Sequence, residues 1–276
     1  MSERNIDPGT VAGFGDEWQR FRHDDESPNV EHHFAEYFSE FPWDQLPANA
    51  EGADFGCGSG RWARLVAPRV GTLHLVDASA EALAVARHNL RDAPGARFHR
   101  ATIDDHPIPP ESLDFGYCLG VLHHIPDTRS ALAACVRALK PGAPFLLYLY
   151  YALENRPAWY RALFHASTLA RYAISKLPPV AKNGVTDAIA VGVYLPLARA
   201  ASVVDKLGGP ADSLPLAYYR SSQLYTMRND ARDRFGTPLE QRFTRAQIQE
   251  MLESVGMKNV RFREGAPYWC AVSQKA

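Results

Sequence analysis

The feature that most constrains this chain is a glycine-rich turn at residues 54–60, whose sequence is Asp-Phe-Gly-Cys-Gly-Ser-Gly. Glycine adopts positive φ at little cost and lets a ligand approach the backbone closely. The following residues, 61–67, predict a helix that ends before Pro68. A glycine turn between a strand and a helix leaves the N–H groups at the helix N-terminus available to an anionic or polar ligand group. We therefore expect a ligand site at this junction.

A second acidic residue lies where nucleotide-binding α/β units place one. Residues 72–76 form an apolar run that predicts a buried strand, and this strand ends at Asp77. Asp77 follows Gly56 by 21 positions, close to the roughly 20 expected for an acidic residue that holds ribose hydroxyls. The glycine turn with a correctly placed Asp77 is much stronger evidence for a nucleoside site than the turn alone.

Alternating strand and helix signals over residues 51–151 predict a parallel, doubly wound α/β sheet. The predicted strands are residues 51–53, 72–76, 97–101, 113–118 and 144–151, and the predicted helices include 80–90, after the N-cap Ser79, and 128–139. The first strand is weak because it lacks a β-branched run. The pattern resumes with a helix capped by Thr244 and with strands at 259–263 and 268–273.

The first 50 residues are aromatic and polar, with helix signals at residues 16–21 and 30–38. Two roles are open for this N-terminal arm. It packs on the core, or it acts as a lid whose Trp18 or Phe14 covers the ligand.

Residues 152–243 form a largely helical insertion, with an apolar stripe of helical period over 158–177. A connection of this length is not an ordinary loop, so we expect a substrate cap. The predicted organisation is an arm at 1–50, a ligand-binding core at 51–151, the cap at 152–243 and completion of the core at 244–276.

The insertion predicts a substrate with an anionic group on an amphiphilic body, because guanidinium groups bind carboxylates and phosphates bidentately. Its cationic and aromatic residues are Arg156, Arg161, Tyr218, Tyr219, Arg220, Arg228 and Arg234. A merely solvated basic helix face is one alternative. Weak contact of a basic amphipathic helix with a membrane surface is another.

Composition narrows the class of partner and the compartment. A hydrophobic content of 46% supports a sizeable core, and a net charge of −1 gives no global field that attracts nucleic acid or anionic membranes. The four cysteines show no paired C-x-x-C spacing, which argues against structural zinc and suits a reducing cytoplasm. The polar N-terminus predicts no signal peptide.

The longest apolar stretch, residues 185–204, contains Asp187, Pro196 and Arg199. A bilayer span needs about 20 mostly apolar residues. We therefore predict a pair of short buried helices here.

Residues 51–151 and 244–273 resemble the class I S-adenosylmethionine (SAM)-dependent methyltransferases of the small-molecule superfamily (type 11/12-like), with an insertion after strand five. Asp-x-Gly-x-Gly-x-Gly resembles their motif I, and residues 122–127, Leu-His-His-Ile-Pro-Asp, are similar to the signature after strand four in the ubiquinone/menaquinone-type branches. Phe14-x-x-x-Trp18 resembles the N-terminal arm of several members. The resemblance implies a Rossmann-like, seven-stranded, mostly parallel sheet with an antiparallel last strand.

The resemblance also implies SAM as cofactor, S-adenosylhomocysteine as product and no metal. The implied cofactor residues are Trp18, Asp54, Gly56, Gly58, Gly60, Arg61, Asp77, Ala78, Ile103, Asp104 and Leu119. Among these, Ile103 is expected on the adenine face and Asp104 on its exocyclic amine. Arg61 either pairs with the ligand carboxylate or is solvated.

Methyl transfer to an oxygen or nitrogen nucleophile favours a base with a pKa near neutrality, and histidine suits this role. His123 and His124 are adjacent, so at most one should face the site, and His123 is the first candidate. Tyr151, as a catalytic candidate, and Tyr150, as a substrate contact, lie at the end of predicted strand five. The substrate contacts predicted in the insertion are Tyr219, Arg220, Arg228 and Arg234.

Competing functions are weaker. Tyr172-x-x-x-Lys176 matches the catalytic spacing of short-chain dehydrogenases, but the glycine turn does not match that family. The residues after strand four lack the Asn/Asp-Pro-Pro-Tyr/Phe motif of nucleic-acid amino-methyltransferases, and no cysteine follows a proline as cytosine-C5 enzymes require. A small-molecule substrate and no nucleic acid are therefore expected. A non-catalytic SAM-binding or assembly protein, a protein or RNA methyltransferase, and a homodimer remain open.

Overall fold

The computed structural model describes residues 5–22 and 28–276. Its contacts divide the chain into two compact units. The first contains residues up to Glu154 together with Leu239–Ala276, and the second contains Asn155–Pro238. Each unit is described separately below.

The first unit is built on one seven-stranded sheet. Its strands are β1 (Glu51–Phe55), β2 (Thr72–Asp77), β3 (Ala96–Arg100), β4 (Phe115–Leu119), β5 (Pro144–Tyr148), β6 (Met257–Phe262) and β7 (Cys270–Lys275). The strand order is β3-β2-β1-β4-β5-β7-β6, with the first five strands parallel and β7 antiparallel to both β5 and β6. The predicted fold class is confirmed.

Helices cover both faces of this sheet. They are α1 (Pro8–Arg20), α2 (Pro28–Tyr37), α3 (Ala63–Val66), α4 (Ala80–Asn89), α5 (Thr128–Ala138) and, after the second unit, α10 (Arg245–Ser254). One hydrophobic core contains Leu132 of α5 and Leu252 of α10, and the other contains Val66 of α3 and Leu83 of α4. The layers therefore match a doubly wound sheet.

Two helix starts follow directly from local sequence. The Ser79 hydroxyl accepts the Ala82 N–H at the start of α4. Thr244 and Gln247 form a reciprocal capping box at the start of α10. Both caps were predicted, because each satisfies backbone donors within one turn of chain.

The weak sequence signal of β1 has a steric cause. A Cβ atom at Gly52 would lie 2.1 Å from the Phe115 ring on the neighbouring strand β4. The ring thus occupies the space that a β-branched side chain would need. Gly52 lowers the local strand propensity, and the pairing with β2 and β4 overrides it.

The second unit is helical. Its helices are α6 (Ala158–Ile174), α7 (Pro179–Ile189), α8 (Leu195–Lys206) and α9 (Leu224–Gly236), and a π-helical segment, Ala190–Tyr194, joins α7 to α8. Its core packs three residues of the joined helix against three residues of α9: Ala190, Tyr194 and Ala198 against Met227, Ala231 and Phe235.

The prediction of two short buried helices at residues 185–204 is wrong. Pro179–Lys206 is one continuous helical run of 28 residues, in which Pro196 is the second residue after the wider π turn. Only 22% of its most apolar 18-residue window is buried, and the mean hydropathy of that window is 1.4. In the described part of the chain it alone has the length and composition to cross a membrane. A core helix of a soluble protein can meet the same criteria.

Gly52→Ala should lower the free energy of unfolding by about 1–3 kcal/mol, because the new methyl group overlaps the Phe115 ring. Chemical denaturation would measure the loss, and adding Phe115→Leu should restore part of it. The matched control is Gly13→Ala in α1, where no atom lies within 4 Å of the added carbon. Equal stabilities for Gly52→Ala and the native chain would contradict the steric account.

Candidate functional site

The glycine turn that follows β1 has the positive-φ backbone conformation that only glycine adopts easily. Gly56, Gly58 and Gly60 have φ values of 82°, 54° and 74°. A Cβ atom at Gly56 would lie 2.5 Å from Val121. The N–H groups of Gly56 and Cys57 both donate to the Val76 carbonyl at the end of β2. The turn is therefore fixed against the neighbouring strand and presents bare backbone.

Asp77 joins the glycine turn to the β2–α4 turn. Its Oδ2 accepts the Gly58 N–H and its Oδ1 accepts the Ser79 N–H, both at 2.9 Å. Burial raises the pKa of this carboxyl, while the N–H groups of Ser79, Gly58 and Ala78 oppose that shift. The Gly58 and Ser79 hydrogen bonds use two of the roughly four lone-pair sites of a carboxylate, so acceptor capacity remains for ligand hydroxyls.

Asp54 is a buried carboxyl beside the same turn. It is only 2% exposed, and its Oδ2 has no hydrogen-bond partner among the described residues. Burial raises its pKa to about 8, against a lowering contribution from the Tyr117 hydroxyl. Asp54 is thus mostly protonated at neutral pH. Its orphaned oxygen marks a place where a polar group of a ligand would gain a hydrogen bond.

The N-terminal helix α1 covers the glycine turn. The Trp18 indole packs against Gly58, where a Cβ atom would lie 2.9 Å from the ring. The Arg61 guanidinium lies 5.4 Å from the Trp18 ring and 4.6 Å from the Trp62 ring. The pKa of His33 is lowered to about 4, mainly by burial and then by Arg61. Trp18 and Arg61 are therefore brought to the predicted site.

The remaining predicted cofactor residues follow the ends of β2, β3 and β4. Ala78 comes directly after β2, and Ile103 and Asp104 share one 3₁₀ turn after β3, with Ile103 buried. Leu119 ends β4 and packs within the same hydrophobic core as Val66 and Leu83. Parallel strands bring their carboxyl ends to one edge of the sheet, so these residues lie along the edge that carries the glycine turn.

His123 is completely buried in the 3₁₀ turn after β4. Its Nδ1 accepts the Tyr150 backbone N–H at 3.3 Å, and its ring stacks on the Tyr150 ring at 3.8 Å. Accepting at Nδ1 places the proton of the neutral ring on Nε2. Burial, with smaller effects of His124 and Arg242, lowers the pKa of His123 well below its usual range. His123 is therefore a neutral hydrogen-bond donor at Nε2.

His124 has the opposite tautomer. Its Nδ1 lies 2.7 Å from the Leu239 carbonyl oxygen, which can only accept a hydrogen bond. The proton therefore lies on Nδ1, and Nε2 is the basic nitrogen of the neutral ring. The ring also makes an edge contact with Phe14 of α1 at 5.0 Å. The two adjacent histidines thus differ in what they offer: one donates at Nε2 and the other accepts there.

The side chains of Tyr150 and Tyr151 lie on opposite faces of the sheet. Tyr150 joins His123 and contacts Tyr148, at 6.0 Å between rings, on the same side of the strand end. Tyr151 packs instead against Tyr268 at 5.2 Å and belongs to the core on the other face of the sheet. The structure does not bring Tyr151 to the histidine pair, because successive residues of an extended chain point to opposite sides.

Several neighbours of the site were not predicted. The Arg242 guanidinium lies 5.0 Å from the Tyr150 ring, and its Nε donates to Glu240 at 2.9 Å. The Tyr37 ring lies 5.1 Å from the Tyr148 ring. Tyr148 could have been found from the period of two along β5. Glu240 and Arg242 carry no local signal, because they follow β5 by about 90 residues.

In the second unit, the predicted substrate residues have partners of their own. Arg228 forms a bidentate ion pair with Asp187, and Arg220 pairs with Asp212 at 2.8 Å. Arg234 donates to Ser167 and Thr168 and lies over the Phe164 ring. The Tyr219 ring packs against Tyr194, and burial with Asp230 nearby raises its pKa. These contacts stabilise the unit, and substrate binding by these residues stays a prediction.

Residues 53–147 match a family model described as a methyltransferase domain. The chain is similar to the ubiquinone biosynthesis O-methyltransferase of Sodalis glossinidius, with 34% identity over 122 residues, which are 43% of this chain and 47% of that protein. The corresponding protein of Hahella chejuensis is 33% identical over 127 residues, 45% of this chain and 51% of that protein. The chain spans about half the length of these curated relatives.

Solved structures with a similar fold include a SAM-dependent methyltransferase from Thermotoga maritima, with a TM-score of 0.50 and 14% identity, covering 96% of this chain and 99% of that one. Another, from Methanosarcina mazei, has a TM-score of 0.50 and 17% identity, covering 84% and 95%. At this identity the similarity supports the fold alone.

Asp54 should make the protein less stable as pH rises from about 4 to about 8. In this window the unfolded chain has an ionised Asp54 whereas the folded chain keeps it protonated, so the folded state binds more protons. The native chain should lose about 1 kcal/mol per pH unit relative to Asp54→Asn, as measured by urea unfolding at several pH values. The exposed Asp92→Asn is the control. Parallel pH profiles for Asp54→Asn and the native chain would refute the raised pKa.

Proposed function

We propose that the chain transfers a methyl group from SAM to an oxygen, or a nitrogen, of a small molecule. The match of residues 53–147 to a methyltransferase domain supports this. One observation carries the proposal. The glycine turn, held by Asp77, and the histidine pair follow β1 and β4, which are adjacent parallel strands. The proposed cofactor site and the histidines proposed to orient the nucleophile therefore follow neighbouring strand ends. The similarity to O-methyltransferases favours oxygen.

The residues at the glycine turn fit SAM. Asp77 keeps acceptor capacity for the ribose hydroxyls. The Asp54 Oδ2 has no hydrogen-bond partner among the described residues, and a polar group of SAM could provide one. Ile103 and Asp104 would contact adenine, and Arg61 would face the carboxylate. S-adenosylhomocysteine would be the product. The proposed reaction uses no metal.

SAM supplies an electrophilic methyl carbon on a sulfonium, so the chain's own residues need to orient the nucleophile and exclude water. His123 would donate from Nε2 to the substrate oxygen, with its ring fixed by Tyr150. His124 would accept the substrate proton at Nε2, since its Nδ1 is held by the Leu239 carbonyl. This assigns the base to His124, whereas the sequence favoured His123. The reason for this assignment is that the two rings have different tautomers.

For the substrate, we propose only a broad chemical class. A small molecule with an anionic group or an amphiphilic body agrees with the arginine-rich second unit, although Arg220, Arg228 and Arg234 are each engaged within it. We also propose a cytoplasmic location, because all four cysteines are buried free thiols and suit a reducing compartment. A panel of phenols with and without a carboxylate, incubated with methyl-labelled SAM, tests both transfer and the need for an anion.

Asp77→Ala should weaken binding of SAM and S-adenosylhomocysteine at least about tenfold, because each lost hydrogen bond to a buried hydroxyl costs roughly 1–3 kcal/mol. Titration calorimetry on the folded variant measures the change. Asp105→Ala, an exposed position after β3, is the matched control and should keep native affinity. Unchanged affinity in Asp77→Ala would remove the proposed cofactor site.

His124→Ala should lower methyl transfer by about 10²–10⁴-fold, the usual contribution of a general base, while SAM affinity stays native. His123→Gln, which keeps an N–H donor, should retain more activity than His123→Leu. Transfer of labelled methyl to the best phenol of the panel gives the rates. Full turnover in both His123→Ala and His124→Ala between about pH 6 and about pH 9 would mean that neither histidine takes part.

A further inference from the structure

The exposed large hydrophobic side chains of the described residues all fall in the second unit. The most exposed are Val180 at 87%, Leu207 at 81% and Leu169 at 77%, and Leu163, Val191 and Val203 are each more than half exposed. Scattered single residues of this kind are ordinary on a protein surface. All of them except Leu224 of α9 lie on or directly beside the three consecutive helices α6 to α8, including the π-helical segment between α7 and α8. Together they form an apolar surface, and such surfaces mark interaction sites.

One side of the long helical run is already occupied. Ala190, Tyr194 and Ala198 pack on α9, and Asp187 of α7 forms its bidentate ion pair with Arg228 of α9. Crossing a bilayer would require the run to leave α9 and would expose this ion pair to hydrocarbon. These contacts leave the other side of the run available to a membrane interface and disfavour a membrane-spanning placement.

The charges beside the apolar surface are mostly positive. Arg161 is exposed on α6, Lys176 just beyond its end, and Arg199 and Lys206 on α8. None of the four forms an ion pair with a described residue, and Lys176 lies over the Tyr172 ring. The acidic residues of these helices, Asp187 and Asp205, are paired with Arg228 and Arg220. Interfacial helices combine a buried apolar side with Lys and Arg that attract anionic lipids.

We propose that the second unit docks, through the apolar surface of α6 to α8, in the interface of a lipid bilayer that contains anionic lipids. Trp159 and Tyr172, both more than half exposed on α6, belong to the residue types that settle at the headgroup level. A second copy of the chain fits this surface less well, because a twofold contact would place the same cations opposite one another. Docking is independent of methyl transfer, so each can fail alone.

The test is co-sedimentation of the full chain with vesicles of phosphatidylcholine, with and without phosphatidylglycerol. Binding should require phosphatidylglycerol and weaken with salt. Leu169→Glu with Val180→Glu should abolish it. The matched control, Ser221→Glu with Gln249→Glu, adds the same two charges at exposed polar positions and should bind like the native chain. Arg161→Gln and Lys176→Gln should each weaken binding about fivefold, the usual effect of one basic residue near an anionic surface.

Affinity for S-adenosylhomocysteine and the helical content by circular dichroism should be native in every variant, which shows that the fold and the cofactor site are intact. Three results would overturn the proposal. The first is no vesicle binding by the native chain. The second is equal binding by the Leu169/Val180 double variant. The third is lipid-free self-association of the native chain that the double variant abolishes, since the apolar surface would then be a contact between copies.

Discussion

The Asp77 carboxylate holds together the two turns at the edge of the sheet that carries the proposed cofactor site. By accepting the N–H groups of Gly58 and Ser79, it fixes the glycine turn after β1 relative to the start of α4. Its desolvation is unfavourable, and the backbone hydrogen bonds offset part of that cost. A group that is tied down in the absence of ligand presents its remaining lone pairs in one orientation, which lowers the ordering cost of binding.

The parts of the fold and site that were predictable are those governed by local chemistry. The glycine turn, Asp77, and the caps Ser79 and Thr244 each satisfy backbone groups within a few residues, so the sequence carries their signal directly. Gly52 is the opposite case. Its reason for being glycine is the Phe115 ring, 63 residues further along the chain, and sequence reasoning saw only a weak strand.

Side-chain roles at the histidine pair depend on contacts that no local pattern carries. The tautomer of His123 is set by the Tyr150 backbone, and that of His124 by the Leu239 carbonyl, which follows it by 115 positions. Two neighbouring residues of the same type thereby acquire different chemistry. Tyr151 packs away from the histidine pair for a related reason, because successive side chains of an extended chain point to opposite sides. Its catalytic role stays a prediction. The exposed apolar helices were missed because composition alone does not distinguish a buried helix from a surface one.

The position of β7 has a consequence for synthesis of the protein. β7 lies between β5 and β6 and pairs with β5 through contacts such as Leu146 with Val272. On the ribosome, β1 to β5 emerge first, then the whole helical unit, and only the last residues supply the partner strand. The edge of β5, rich in apolar residues, therefore stays open while more than a hundred residues are translated. Open edges of this kind invite pairing with other chains, so nascent protein at this stage depends on rapid completion or on protection by chaperones.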